Sequence, residues 1–265
     1  MKIPFTKTHG ARNDFLLTWR SDAPDAGLPE VAIAICDRHT GIGADGWMLV
    51  APPSDTEADG TIELYNSDGS VAEISGNGTR CAAALLVRHG YATGLVRVRT
   101  GAGIKTLRLL DRTGLQFEFE MNMGQPEIRA LRRNIYLRDG ARESVVMWVG
   151  NPQCALLVND FDFDWRALGV EIEHHPDFPK RTNVSFVRAV DDHTLDVRFW
   201  ERGAGETMSS GTGSTGAVAA ALAHGLVKSP VKVLTPAGPI HIAINGDFYL
   251  TGPAEITAEG TFLGN

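Results

Sequence analysis

The sequence predicts an α+β, strand-rich protein built from two homologous lobes. Three observations carry this reading. Short alternating runs separated by turn signals fill both halves, and only four stretches favour helix. A glycine-rich segment of the first half also returns in the second at an offset of 135 positions.

Taken along the chain, Leu28–His39 is the first expected helix. Thr61–Tyr65 alternates as a strand and meets Asn66-Ser67-Asp68-Gly69-Ser70, whose residue types favour a turn. Gly78–His89 is apolar and alanine-rich, and is read as a helix. Leu95–Thr100, Thr106–Leu110 and Leu115–Met121 have strand character. The second half continues with strands at Ser144–Val149 and Ala155–Val158, a helix at Asp164–Gly169, and strands at Asn183–Val187 and Thr194–Trp200. A helix at Thr212–His224 follows, then strands at Val231–Leu234 and Ile240–Ile244.

With 265 residues, 43% of them hydrophobic, the chain has material for a substantial core in one large domain or two compact ones. A net charge of -7 shows no basic face, so neither nucleic acid nor an anionic membrane is an expected partner. The three cysteines, Cys36, Cys81 and Cys154, form no CxxC pair, which argues against a disulfide framework or a zinc ribbon. The apolar runs Cys81–Val87 and Ala217–Ala223 are too short to span a bilayer. Met1–Lys7 has no apolar secretory core, and the expected location is the cytoplasm.

The repeat is the decisive feature. Ser75-Gly76-Asn77-Gly78-Thr79-Arg80-Cys81-Ala82-Ala83-Ala84 overlays Ser210-Gly211-Thr212-Gly213-Ser214-Thr215-Gly216-Ala217-Val218-Ala219, and His89-Gly90 falls on His224-Gly225. Each copy is a glycine-rich turn opening an apolar helix. First-turn amides have no intrahelical acceptor and carry the positive end of the helix dipole, so each copy offers donors to an anion. A single copy alone favours an N-cap and glycine turn at the start of a buried helix; duplication and the flanking polar motifs reverse that and favour the site. Inverting a carbon centre without a cofactor needs one proton-transfer group on each face, and a repeated helix start headed by Ser75 or Ser210 supplies a pair. His89 and His224 read as helix ends followed by a C′ glycine.

These motifs resemble the diaminopimelate epimerase family over essentially the whole chain. The resemblance is carried by His9-Gly10-Ala11-Arg12-Asn13-Asp14-Phe15, by Asp37 through Gly46, by Tyr65 through Ser70, and by Ser75 through Cys81. Gly150-Asn151-Pro152, Thr182-Asn183-Val184, Glu201 through Thr207, and Thr251-Gly252-Pro253-Ala254-Glu255 follow in order. It implies two pseudo-symmetric lobes, residues 1–122 and 123–250, each a barrel-like sheet around a central helix. A tail, 251–265, would return to the first lobe, and the substrate would lie in a cleft between the lobes. It further implies an amino-acid substrate, LL- to meso-diaminopimelate epimerisation in lysine biosynthesis, no pyridoxal phosphate or metal, and a homodimer. By resemblance, Asn13, Asn66, Asn151, Asn183, Glu201 and Arg202 hold the substrate's distal end, while Gly76, Asn77, Gly211 and Thr212 present amides to its reacting carboxylate. Singly, each asparagine is a turn residue and Glu201-Arg202 a surface pair; their joint placement supports the site.

The family's catalytic pair is two cysteines, and this chain has Ser75 and Ser210 there. A thiol ionises near pH 8.5 and an aliphatic hydroxyl several units higher, at about 1.4 kcal/mol per unit, so unaided serines are poor bases. Glu73, Glu206 or water are the expected helpers. Arg12 replaces the usual glycine beside Asn13, and Gln153 the usual histidine after Asn151-Pro152. Cys81 and Cys36 read as core, and Cys154 lies near a strand. Three readings stay open: an isomerase on diaminopimelate or a related amino acid, an amino-acid-binding relative without catalysis, and an engineered cysteine-to-serine pair.

Overall fold

The structure, a computed structural model, describes residues 2–264. Met1 and Asn265, the outer ends of the expected first lobe and tail, lie outside the described residues. Two compact units are present. One runs to Met121 and resumes at Gly252; the other is Asn122–Thr251.

The first unit contains β1 (Lys2–Gly10), β2 (Asn13–Trp19), α1 (Leu28–Cys36), β3 (Gly46–Ala51), β4 (Gly60–Asn66), β5 (Val71–Ala72), α2 (Gly76–Arg88), β6 (Leu95–Thr100), β7 (Gly103–Thr113) and most of β8 (Gln116–Gly124). The second holds β9 (Glu127–Leu137), β10 (Gly140–Trp148), β11 (Pro152–Leu157), α3 (Trp165–Glu173), β12 (Asn183–Asp191), β13 (Thr194–Glu201), β14 (Gly205–Thr207), α4 (Gly211–Ala223), β15 (Val231–Thr235) and β16 (Gly238–Asn245). The last strand, β17 (Asp247–Leu263), serves the second unit up to Thr251 and the first from Gly252.

In the first unit, pairing runs β1–β2–β3–β4–β6–β7–β8–β17 and returns from β17 to β1, closing a ring of 8 strands. The two parallel pairs, β2–β3 and β4–β6, are crossovers through α1 and α2. The second unit repeats this plan: β11–β12 is parallel across α3, β13–β15 is parallel across α4, and the intervening pairs are antiparallel. The repeat seen in the sequence is thus a repeat of connectivity.

Each central helix is enclosed. Gly76 through Val87 of α2 are all buried, as are Gly211 through Ala221 of α4. Alanine and glycine dominate because strands pass close on every side. A Cβ on Gly213 would stand 2.9 Å from the Phe199 ring and 2.9 Å from Ser210 Oγ, so a side chain there displaces either the core or the cap. The outer helices cover the opposite sheet faces: α1 packs on Trp47, Leu49 and Tyr65, and α3 on Leu156, Val184 and Phe186.

Helix ends differ from the sequence reading for local reasons. Leu28–Cys36 stops before His39 because Asp37 Oδ1 accepts the amides of His39 and Thr40, a competing turn. α2 and α4 start earlier than expected, directly after Ser75 and Ser210, whose side chains cap them. α3 continues past Gly169 to Glu173 because its last turn buries Ile172 and Glu173. His89 and His224 are the C-caps expected, each followed by a glycine at positive φ, 77° and 70°.

Six strands, β1, β2, β3, β5, β9 and β14, are absent from the sequence reading, and β17 is present only in part. β1 and β2 form a hairpin whose turn residues, Ala11 and Arg12, have φ of 51° and 60° without the usual Asn-Gly signature. β3 is buried along its length and has no alternation. β9 is largely exposed and charged, and is held by its pairing with β10. β17 extends well beyond the short closing strand that the motifs indicated.

Candidate active site

In the first unit, Ser75 is extended, with φ -127°, and its Oγ accepts the Gly78 amide at 3.1 Å. Its carbonyl accepts the Thr79 amide and hydroxyl. With the N3 amide taken by the cap, the amides of Gly76 and Asn77 lie ahead of the first intrahelical acceptor, where an anion is favoured. Among the described residues no group accepts the Ser75 hydroxyl proton.

Asn13 and Asn77 are brought together beside this turn. Asn77 Nδ2 donates to Asn13 Oδ1 at 3.2 Å, and Asn13 Nδ2 donates to Asp45 Oδ2 at 2.7 Å. On the other side, Asn77 Oδ1 accepts from Arg80, a guanidinium with 0% exposure that also donates to the Pro253 carbonyl at 3.0 Å. Asp45 accepts from Arg38, and its carbonyl takes the Ser67 amide, which ties in the turn carrying Asn66. Asn66 Nδ2 itself donates to Ser70 Oγ at 3.0 Å. Asn13, expected at the substrate, therefore brackets the helix start.

In the second unit, Ser210 is 2% exposed with φ -137°, and its Oγ accepts the Gly213 amide at 3.0 Å. The same hydroxyl donates to Glu201 Oε1 at 2.7 Å. This is the chief asymmetry between the copies: among the described residues Ser210 has a proton acceptor and Ser75 has none. Glu206, an expected helper, instead lies outside on Arg166, at 2.6 and 2.9 Å. Glu201, expected at the substrate's distal end, is the carboxylate on the serine.

Gln153, the departure after Asn151-Pro152, donates to Asn151 Oδ1 at 2.7 Å and to Thr212 Oγ1 at 3.0 Å. It orients two expected site residues, and an amide takes no proton at neutral pH. Asn183 donates to the Pro152 carbonyl at 2.9 Å and accepts the Arg202 amide at 3.0 Å. Arg202 Nη1 reaches the Lys180 carbonyl. The amides of Gly211 and Thr212 occupy the positions that Gly76 and Asn77 hold in the other copy. Arg12 is exposed at its hairpin tip.

The cysteines are elsewhere. Burial pushes the thiols of Cys36 and Cys154 up to about 12 and that of Cys81 to about 11. None forms thiolate near neutrality. Iodoacetamide at pH 8 is expected to leave the native protein unmodified and its activity unchanged, checked by intact mass and turnover. Inactivation with loss of one thiol would show a working cysteine. No group of His, Cys, Asp and Glu among the described residues has the arrangement of a metal site, and no described helix is long and apolar enough to cross a membrane.

Two units that repeat one strand order around a serine-headed central helix define a fold shared with solved epimerases and racemases. The hydroxyproline epimerase of Agrobacterium vitis is similar with a TM-score of 0.77 at 16% identity, over 98% of this chain and 90% of that one. The PhzF-family phenazine biosynthesis protein of Bacillus anthracis gives 0.73 at 12% identity, over 99% of each. Such likeness is one of fold. In sequence, the chain belongs to the diaminopimelate epimerase family: the family profile "Diaminopimelate epimerase" matches residues 5–129 and 145–257. Relatives named diaminopimelate epimerase from Halothermothrix orenii and Microcystis aeruginosa are 35% and 36% identical, over 99% of this chain and 99% of theirs.

Proposed function

We propose that the protein inverts an α-carbon of diaminopimelate without pyridoxal phosphate or metal. In this reading Ser210 and Glu201 remove the proton and Ser75 returns one. The observation that carries the proposal is the 2.7 Å bond from the Ser210 hydroxyl to Glu201. A lone serine would have to become an alkoxide before acting. A serine already donating to a carboxylate need not: as the Cα–H bond breaks, its proton passes to Oγ while the hydroxyl proton moves to Glu201 Oε1. The electron pair left on carbon delocalises into the substrate carboxylate, whose growing charge suits the helix-start amides. Ser75 then delivers its proton to carbon and is reprotonated by water, and Glu201 releases its proton to solvent.

Family membership supports the substrate, and extends the proposal to a cytoplasmic homodimer in lysine biosynthesis. A relative that only bound amino acids would have no use for a buried hydroxyl donating to a carboxylate. The test is incubation of LL- and meso-diaminopimelate in deuterium oxide. Deuterium is expected at Cα together with interconversion, and the isomer whose Cα–H meets Ser210 should exchange faster. Absence of exchange from both isomers would overturn the reading.

A further inference from the structure

Beside the chain that carries Glu201 is a buried carboxylate that the mechanism does not use. Glu173 ends α3 with 3% exposure. Its Oε1 accepts the Gly203 amide at 3.0 Å and Arg181 Nη1 at 3.1 Å, and its Oε2 accepts Trp200 Nε1 at 2.7 Å. His174 Nδ1 is 3.9 Å from Oε2.

The three donors fall at informative places. Trp200 directly precedes Glu201, and Gly203 follows it in a turn at φ +77°. Arg181 lies at φ +58°, an uncommon conformation for a residue with a side chain, just before Thr182-Asn183. Asn183 in turn accepts the Arg202 amide. One carboxylate thus holds the indole just before Glu201, the backbone amide two residues after it, and the guanidinium of the segment that meets it. Trp200 is confined further, because a Cβ on Gly169, one turn earlier in α3, would stand 2.7 Å from its Cγ. A buried ion pair is a poor route to stability, since desolvation offsets much of the attraction and an apolar side chain often serves as well. Three directed bonds converging on one turn serve geometry instead.

From this we infer that Glu173 is the positioning residue for Glu201, setting the reach of its carboxylate to the Ser210 hydroxyl. The inference rests on the proton-transfer reading of that pair. Glu173→Gln keeps shape but turns an NH2 toward groups that are all donors, so the grip loosens. In the wild-type background kcat for Cα exchange should fall about 10- to 100-fold, the range for lost outer-shell support of a site, with KM within about threefold. In a Glu201→Gln background the same change should add little. Trp200→Phe, which removes one donor and keeps the ring, should lower kcat in the same direction by less.

A readout independent of turnover separates this inference from the functional reading. Ser210→Cys places a thiol beside Glu201, while burial pushes the native thiols up to about 11 or 12. Its pKa, followed by thiolate absorbance against pH, reports the carboxylate's proximity: a nearby negative charge raises it. Adding Glu173→Gln should lower that pKa toward the value seen with Glu201→Gln. If wild type exchanges no Cα proton but the thiol shifts this way, the functional reading fails and the positioning role stands. If Glu173→Gln lowers thermal stability while leaving both kcat and the thiol pKa unmoved, Glu173 is only an anchor for α3 and the inference is overturned.

Discussion

Glu201→Gln is expected to lower kcat for Cα exchange by about 10²- to 10⁴-fold, the usual contribution of a positioned general base, with little change in KM. The amide oxygen can still accept the Ser210 hydroxyl, so the hydrogen bond survives. What disappears is a place for the proton to go. Without it, Ser210 must form an alkoxide, and each pKa unit between hydroxyl and solvent adds about 1.4 kcal/mol to the barrier. Ser210→Ala should be comparably impaired, and the double variant scarcely worse, because the two groups act as one relay. Measuring exchange for both single variants and the double one decides the matter. Additive losses would mean that Glu201 and Ser210 act separately.

Arg80→Met is expected to cost about 2–4 kcal/mol of folding stability, read as a lower urea midpoint at unchanged slope. The guanidinium is wholly enclosed, and burial draws it down to about 10. The desolvation cost is met by hydrogen bonds to the Pro253 carbonyl, the Gly76 carbonyl and Asn77 Oδ1. Gly252 is what admits it, since a Cβ there would lie 3.1 Å from Arg80 Cζ. Methionine fills much of the stem's volume and removes the buried charge, which recovers part of the loss. Two or more acceptors are left without donors, at about 1–3 kcal/mol each, and that larger effect decides the sign. Because Asn77 loses one of its anchors, KM should rise as well. An unchanged urea midpoint would show that the carbonyls find other donors.

Much of the candidate site was legible because its chemistry is local. Ser75 and Ser210 cap helices of 13 residues each, Gly78 and Gly213 three positions on supply the capped amides, and His89 and His224 close the same helices before a glycine. These are relations within one or two turns. The roles of the polar residues around them were harder to read. Asn13, taken from its motif as a substrate contact, spends its side chain on Asp45 and Asn77, residues 32 and 64 positions away. Glu206 and Glu201 look alike in sequence as neighbours of Ser210. Only the pairing of β13 with β14 shows that Trp200 lies opposite Glu206, sending that carboxylate out to Arg166 while Glu201 turns to the serine.

By itself, then, the sequence determined the duplicated α+β plan, the two capped helix starts and the family, because caps, turns and alternation are set by neighbouring residues. The tertiary structure decided which carboxylate meets Ser210, that none among the described residues meets Ser75, and that Glu173 holds the chain around Glu201. Those contacts join side chains that come within hydrogen-bonding distance only once distant strands have paired, and no local pattern encodes that distance.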